Sequence, residues 1–174
     1  MAEALIELLQ PIESVSRFLP LSDSAKGVIA YGFSLKQSMA FLPIGDINIF
    51  YGALCEGSSN QHLVEREQNV SSLLLQIERY RGVTILPAKE VVQPPIITTA
   101  SITAYMTQSG LDTLDFAQRV AKLAKLDEID CSSLLVGSVF AARGDFRALL
   151  RRNGLTPPVL VYGRKVAGIN TPQG

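Results

Sequence analysis

The apolar positions along this chain fall into runs of different period, and each run predicts a different element. Ala2 to Leu19 places Leu5, Ile6, Leu8, Leu9, Ile12 and Val15 at helical spacing. That is an amphipathic helix, interrupted where Pro11 removes an interior N–H. Gly27 to Phe41 is β-like in composition, with Val28, Ala30 and Gly32 on one face and Ile29, Tyr31 and Phe33 on the other. After Pro43 and Gly45, Asp46 to Leu54 alternates Ile47, Ile49 and Tyr51 against Asn48 and Phe50, so the two runs predict an antiparallel strand pair. EGSSNQ reads as a loop. Over 62–81 two patterns compete: Val70, Leu73, Leu74 and Ile77 fit a helix, and Leu73, Leu75 and Ile77 fit a strand. The Glu, Gln and Arg content leans it toward helix.

Beyond this point proline sets the punctuation. GVTILPAKEVVQPP holds two short β-like runs split by Pro87, and Pro94–Pro95 then forces extended backbone, so a domain boundary is expected near residue 95. IITTASITAYMTQSG is β-branched and strand-like. Leu111 to Leu126 follows as an amphipathic helix, with Leu114, Ala117, Val120, Ala121 and Ala124 on one face. Asp112 and Asp115 stand near its start and Lys122 and Lys125 near its end, the order a helix dipole favours. DEIDCSSLLVGSVFAARG predicts a short helix with an acidic entry. Asp145 to Arg152 predicts another, with Asp145 as N-cap and Asn153–Gly154 as a left-handed stop. Pro157–Pro158 launches VLVYGRKVAGI, a final strand with a turn at Gly163. The expected class is α+β, with one β-rich domain over 1–95 and a strand–helix–helix–helix–strand domain over 96–174.

Composition narrows the chemistry. Sixteen basic residues balance sixteen acidic ones, so no net field draws the chain to nucleic acid or to an anionic membrane. There is no long apolar run of membrane-spanning length, and Glu3 and Glu7 stand where a signal peptide carries basic residues. Cys55 and Cys131 lack CxxC partners and read as reduced, partly buried thiols in preference to a disulfide or metal site. His62 is the single histidine, and no phosphate-loop, dinucleotide or HExxH motif occurs, so neither an enzyme nor a cofactor is expected. Asp112, Asp115, Asp127, Glu128 and Asp130 read as helix-end carboxylates in preference to an acid–base set. Arg143, Arg147, Arg151, Arg152, Arg164 and Lys165 read as helix-end charges and a solvated hairpin tip in preference to a nucleic-acid patch.

Two stretches resemble a known module. Tyr105-Met-Thr-Gln-Ser-Gly110-Leu-Asp112-Thr113-Leu114-Asp-Phe-Ala117 is similar to the strand-to-helix entry of the LysM family. Asp145-Phe-Arg-Ala-Leu-Leu-Arg-Arg-Asn153-Gly154-Leu155, with Pro157 and Gly163 beyond, is similar to that family's second helix and its exit. Leu111 is an insertion in the first stretch, and Asp112 and Asn153 stand further apart than in a minimal module. The resemblance implies a β-α-α-β module with an extra helix between, covering roughly the last 70 residues. LysM-like modules of this kind serve as protein clamps in contractile phage-tail baseplates, after a domain similar to the tail-tube protein. The implied function is a virion structural protein, made in the host cytoplasm. It would form a ring with itself, sixfold by the resemblance, and contact the tail tube, hub and sheath-initiator or wedge proteins. Pro94, Pro95, Pro158, Tyr162 and Arg164 are the candidate interface. The paired prolines are either turn punctuation or a defined strand edge for a neighbouring chain. The alternative is peptidoglycan binding by a LysM protein, with Tyr105, Phe116 and Tyr162 as groove candidates.

Overall fold

The structure, a computed structural model, describes residues 18–34, 44–64, 68–81, 102–103 and 105–156. These form helices α1 (Asp23–Ser34), α2 (Asp46–Glu56), α3 (Asn60–Val64), α4 (Val70–Arg81), α5 (Gln108–Leu123), α6 (Cys131–Ala141) and α7 (Gly144–Arg152). The α+β expectation is therefore overturned. Among the described residues there is no sheet, only the isolated parallel bridges Leu21↔Ile129 and Ile44↔Met106. The runs expected to pair as strands are α1 and α2, and the expected strand before α5 contributes a short helical turn at Ile102–Thr103 and the single bridge at Met106. Of the ambiguous 62–81 stretch, Val70–Arg81 takes the helical alternative, as α4.

The misreading has a physical origin. In α2 every residue from Ile47 to Leu54 is buried. α6 is as enclosed, with Cys131 and all from Ser133 to Val139 buried, but its acidic entry at Asp130 marks it as a helix. A helix enclosed on all sides has no polar face, so its sequence shows a continuous apolar run that periodicity cannot distinguish from a buried strand. The end signals do discriminate. Asn48 Oδ1 accepts from the Gly45 N–H at 3.1 Å, and Asp46 stands in the first turn of α2. Gly57, left-handed at φ 88°, returns its N–H to Ala53 O at the other end. Ser22 Oγ accepts from the Ala25 N–H to open α1.

The core is built from two antiparallel hairpins, α1–α2 and α5–α6, with α2 and α6 at its centre. Close approach in both hairpins depends on missing side chains. A Cβ on Gly52 would stand 2.0 Å from the Val28 carbonyl oxygen of α1, and one on Gly137 would stand 2.5 Å from that of Thr113 in α5. The helix expected as an insertion between residues 121 and 143 is α6, which is central rather than accessory. Helices from both sides of residue 95 share this core: Ile29, Phe50 and Leu54 cluster with Leu114, Leu134 and Val139.

Each isolated bridge lies immediately before two helix starts. Leu21↔Ile129 joins the entries of α1 and α6 through Ser22 N–H to Ile129 O (3.0 Å) and Ile129 N–H to Pro20 O (2.8 Å). Ile44↔Met106 joins the entries of α2 and α5 through Ile44 N–H to Tyr105 O (2.6 Å) and Thr107 N–H to Ile44 O (2.9 Å). Helix ends are also closed locally. The Leu155 N–H reaches Leu150 O and the Gly154 N–H reaches Arg151 O, a Schellman stop with Gly154 at φ 72° and Leu155 buried beneath it. The same pair of bonds ends α5 through Leu126 and Lys125, but there the left-handed residue is Lys125, at φ 57°. Arg143, not Asp145, is the N-cap residue of α7.

Two substitutions of opposite sign test this packing. Gly52→Ala lowers stability by about 2–3 kcal/mol, since its methyl has no room beside Val28. Lys125→Gly raises stability by about 0.5–1 kcal/mol by relieving the left-handed backbone at an exposed position. Urea unfolding followed by far-ultraviolet circular dichroism measures both.

Candidate interaction groove

The motif residues expected to carry function turn out to hold the helices in place. Gly110 packs its Cα against Ile44, where a Cβ would stand 2.3 Å from the carbonyl oxygen. Thr113 donates its hydroxyl to Ser109 O at 2.8 Å, and Leu114 is fully buried. Asp112 accepts from Gln108 Nε2 at 2.9 Å and forms an ion pair with Arg143 at the start of α7. Asn153 and Gly154 close the far end of α7, about 13 Å away along its axis, so the helix separates the two halves of the motif. Pro157, Gly163 and the candidate interface residues Pro94, Pro95, Pro158, Tyr162 and Arg164 lie outside the described residues.

The Ile44↔Met106 bridge carries a polar junction. Thr107 Oγ1 accepts from the Gly110 N–H as the cap of α5 and lies 2.9 Å from Ser109 Oγ. Ser109 in turn donates to Asp46 Oδ1 at 3.1 Å. Burial raises the Asp46 carboxyl above its ordinary 3.8, against the opposing pull of bonds from the Ile47 N–H, the Ser109 hydroxyl and the Arg143 N–H. Asp46 was not among the expected carboxylates, of which Asp127 and Glu128 are exposed between α5 and α6. Asp130 caps α6, accepting from the Ser133 N–H at 2.7 Å, and Asp115 pairs with Arg119 at 2.6 Å.

Both thiols are held as neutral groups. Burial pushes Cys131 up to about 11, with Ser59 Oγ at 3.1 Å, and burial also raises Cys55 beside Tyr51. Neither is an ionised nucleophile at neutral pH. Among the described residues no group of three or more His, Cys, Asp or Glu is arranged to hold a metal ion, and no helix is long and apolar enough to cross a membrane.

The concave feature with chemistry of its own lies between α4 and α7. Gln76, Arg79 and Tyr80 of α4 face Leu149, Arg152 and Asn153 of α7 across an open groove of about 550 Å³. A reciprocal amide pair ties its walls together. Gln76 Nε2 donates to Asn153 Oδ1 at 3.2 Å, and Asn153 Nδ2 donates to Gln76 Oε1 at 2.9 Å. Asn153 Nδ2 also bonds Leu149 O, which orients it as the end residue of α7. Below the groove Phe146 meets Phe50 edge-on with ring centroids 5.5 Å apart, so α7 is anchored to the central helix. Tyr80 is 47% exposed, and Leu75 and Val64 on the adjoining α4 and α3 are 51% and 61% exposed.

Sequence reasoning singled out Asn153 and Arg152 but missed Gln76, Arg79 and Tyr80. These occupy one flank of the stretch whose period was ambiguous. Once α4 is a helix with Leu73 and Ile77 buried, positions 76, 79 and 80 necessarily share its next face.

The Asp46 shift has a definite sign. A carboxyl raised in the folded state adds stability below its unfolded value of 3.8, and that contribution is lost as pH rises through the raised folded value. Asp46→Asn, which keeps an acceptor for Ile47 and Ser109, is therefore more stable than the parent at pH 7. The advantage shrinks to nothing as pH falls below 3.8. Thermal unfolding of both proteins across that range gives the comparison.

Compared with known proteins, the chain matches no family model and no curated protein sequence, so the argument about function rests on its own residues.

Proposed function

We propose that this chain is a non-enzymatic structural protein that works by holding other proteins together. Its setting is the baseplate of a contractile phage tail, as a ring subunit between the tail tube, the hub and the surrounding sheath-initiator or wedge proteins. The observation that carries the proposal is the α3–α4–α7 surface. There, Leu75 and Tyr80 are exposed on α4 with Arg79, across the groove from Arg152, with Val64 exposed on α3, and no acidic side chain pairs with these arginines among the described residues. Apolar side chains interspersed with arginine and tyrosine make a surface suited to a protein neighbour.

The phage setting draws its support from the two LysM-like stretches. The helix start at Thr107–Leu114 and the helix end at Asn153–Gly154 agree with that part of the similarity. The β-α-α-β fold is overturned and forms no part of the proposal. Glycan binding at Tyr105, Phe116 and Tyr162 has less support. The Phe116 ring is stacked on Phe140 at 5.2 Å, and the Arg119 guanidinium lies over it at 5.9 Å.

Mass spectrometry with copy counting on purified tail particles tests the setting. The expected result is a fixed, low, ring-like copy number, and absence from particles made in the same lysate sinks it. Leu75→Asp lowers monomer stability by only about 1–2 kcal/mol, because the side chain is already half exposed, yet it lowers incorporation into particles.

A further inference from the structure

We infer that the groove between α4 and α7 docks an acidic segment of a partner protein, with carboxylates held by Arg79 and Arg152 and an apolar side chain laid against Tyr80. This rests on the protein-binding function proposed above and specifies the chemistry of the partner.

At this groove charge is set against charge. The groove lies beside the C-terminal turn of α7, closed by Asn153, and a helix end of that polarity carries about half a negative charge. Arg79 and Arg152 line the groove itself and outweigh it, and Asp145, on the same face of α7, stands two turns away at the start of that helix. Glu78 does not cancel them. It faces the opposite flank of α4, where its field acts on Tyr51 and Cys55 of α2. Neither groove arginine has an ion-pair partner among the described residues, whereas Arg119 and Arg143 elsewhere are each paired with an aspartate.

A guanidinium on each wall of an open groove suits planar carboxylates, which it grips through two parallel N–H bonds. The groove floor is Leu149, buried beneath the rim, and Tyr80 supplies an aromatic wall. Leu75 stands one turn before Arg79 on α4, so an occupant lying along that helix meets an apolar position and then a cation. Single-stranded nucleic acid fits less well. It needs a long basic track with several stacking rings, and this groove offers one tyrosine in a chain whose charges balance.

The test uses the full chain and a short fluorescein-labelled peptide of glutamate and leucine, followed by fluorescence anisotropy. Controls are the same peptide with lysine for glutamate and a labelled oligothymidylate of matching charge. The glutamate peptide is expected to bind saturably, the lysine peptide not at all and the oligothymidylate more weakly. Arg79→Glu and Arg152→Glu are each expected to weaken peptide binding by roughly tenfold or more. Lys122→Glu, on the exposed surface of α5, leaves it unchanged. All three sites are exposed, and circular dichroism verifies that helicity is retained. Absence of saturable binding, indifference to Arg79→Glu and Arg152→Glu, or tighter binding of the oligothymidylate overturns the inference. Absence from tail particles with peptide binding intact removes only the phage setting. Presence in particles without peptide binding removes only this groove.

Discussion

A helix without a polar face is stable only if other helices enclose it, and this chain contains two. α2 and α6 are buried along most of their lengths, and every other described helix is arranged to cover them. The enclosure is tight because the neighbouring backbones come within reach of one another. α1 lies against Gly52, and α5 lies against Gly137, where even a methyl group has no room. Groups that pack this closely cannot slide past each other, which is why the register of both hairpins is fixed by small residues rather than by large ones.

Hydrogen bonding reinforces that register at the helix entries. At one bridge Ser24 Oγ accepts from the Cys131 N–H, and at the other Ser109 Oγ contacts both the carboxylate and the N–H of Asp46. In each case a hydroxyl of one helix satisfies an otherwise unpaired donor at the start of another. The LysM-like residues belong to this framework. Gly110 permits the approach of Ile44, and Asn153 completes α7 while bracing α4 through its amide. What faces outward is the charged and apolar mixture on α3, α4 and α7.

How much of this could be read in the sequence depended on whether an element keeps a polar side. α5 and α7 do, and both were legible to within a few residues, including the stop at Asn153–Gly154. α2 does not, and α1 exposes charge only at Asp23 and Lys26 in its first turn, so alternation among apolar residues imitated strands. α6 also lacks a polar face but was legible from its acidic entry. The discriminating marks were short: Ser22, Asp46 with Asn48, and Gly57 after an acidic residue. Recognising them as helix boundaries would have identified the all-helical core. The groove was less legible, because it joins residues of α4 to residues of α7 that only the tertiary fold makes neighbours. Arg79 and Arg152 look like ordinary solvated helix charges until they are seen to line one groove.

The two entry bridges also bear on how the chain acquires its structure. They join residues roughly sixty and roughly a hundred positions apart, long separations for a helical protein and a source of slow folding. The α1–α2 hairpin is local and forms early, but one side of α2 has nothing to rest on until α6 has been synthesised. During translation the first half of the molecule therefore emerges with Phe50 and its neighbours exposed, and it stays so until the ribosome has passed residue 141. For that interval the nascent chain presents a sticky helical pair, the kind of intermediate that cellular chaperones shield.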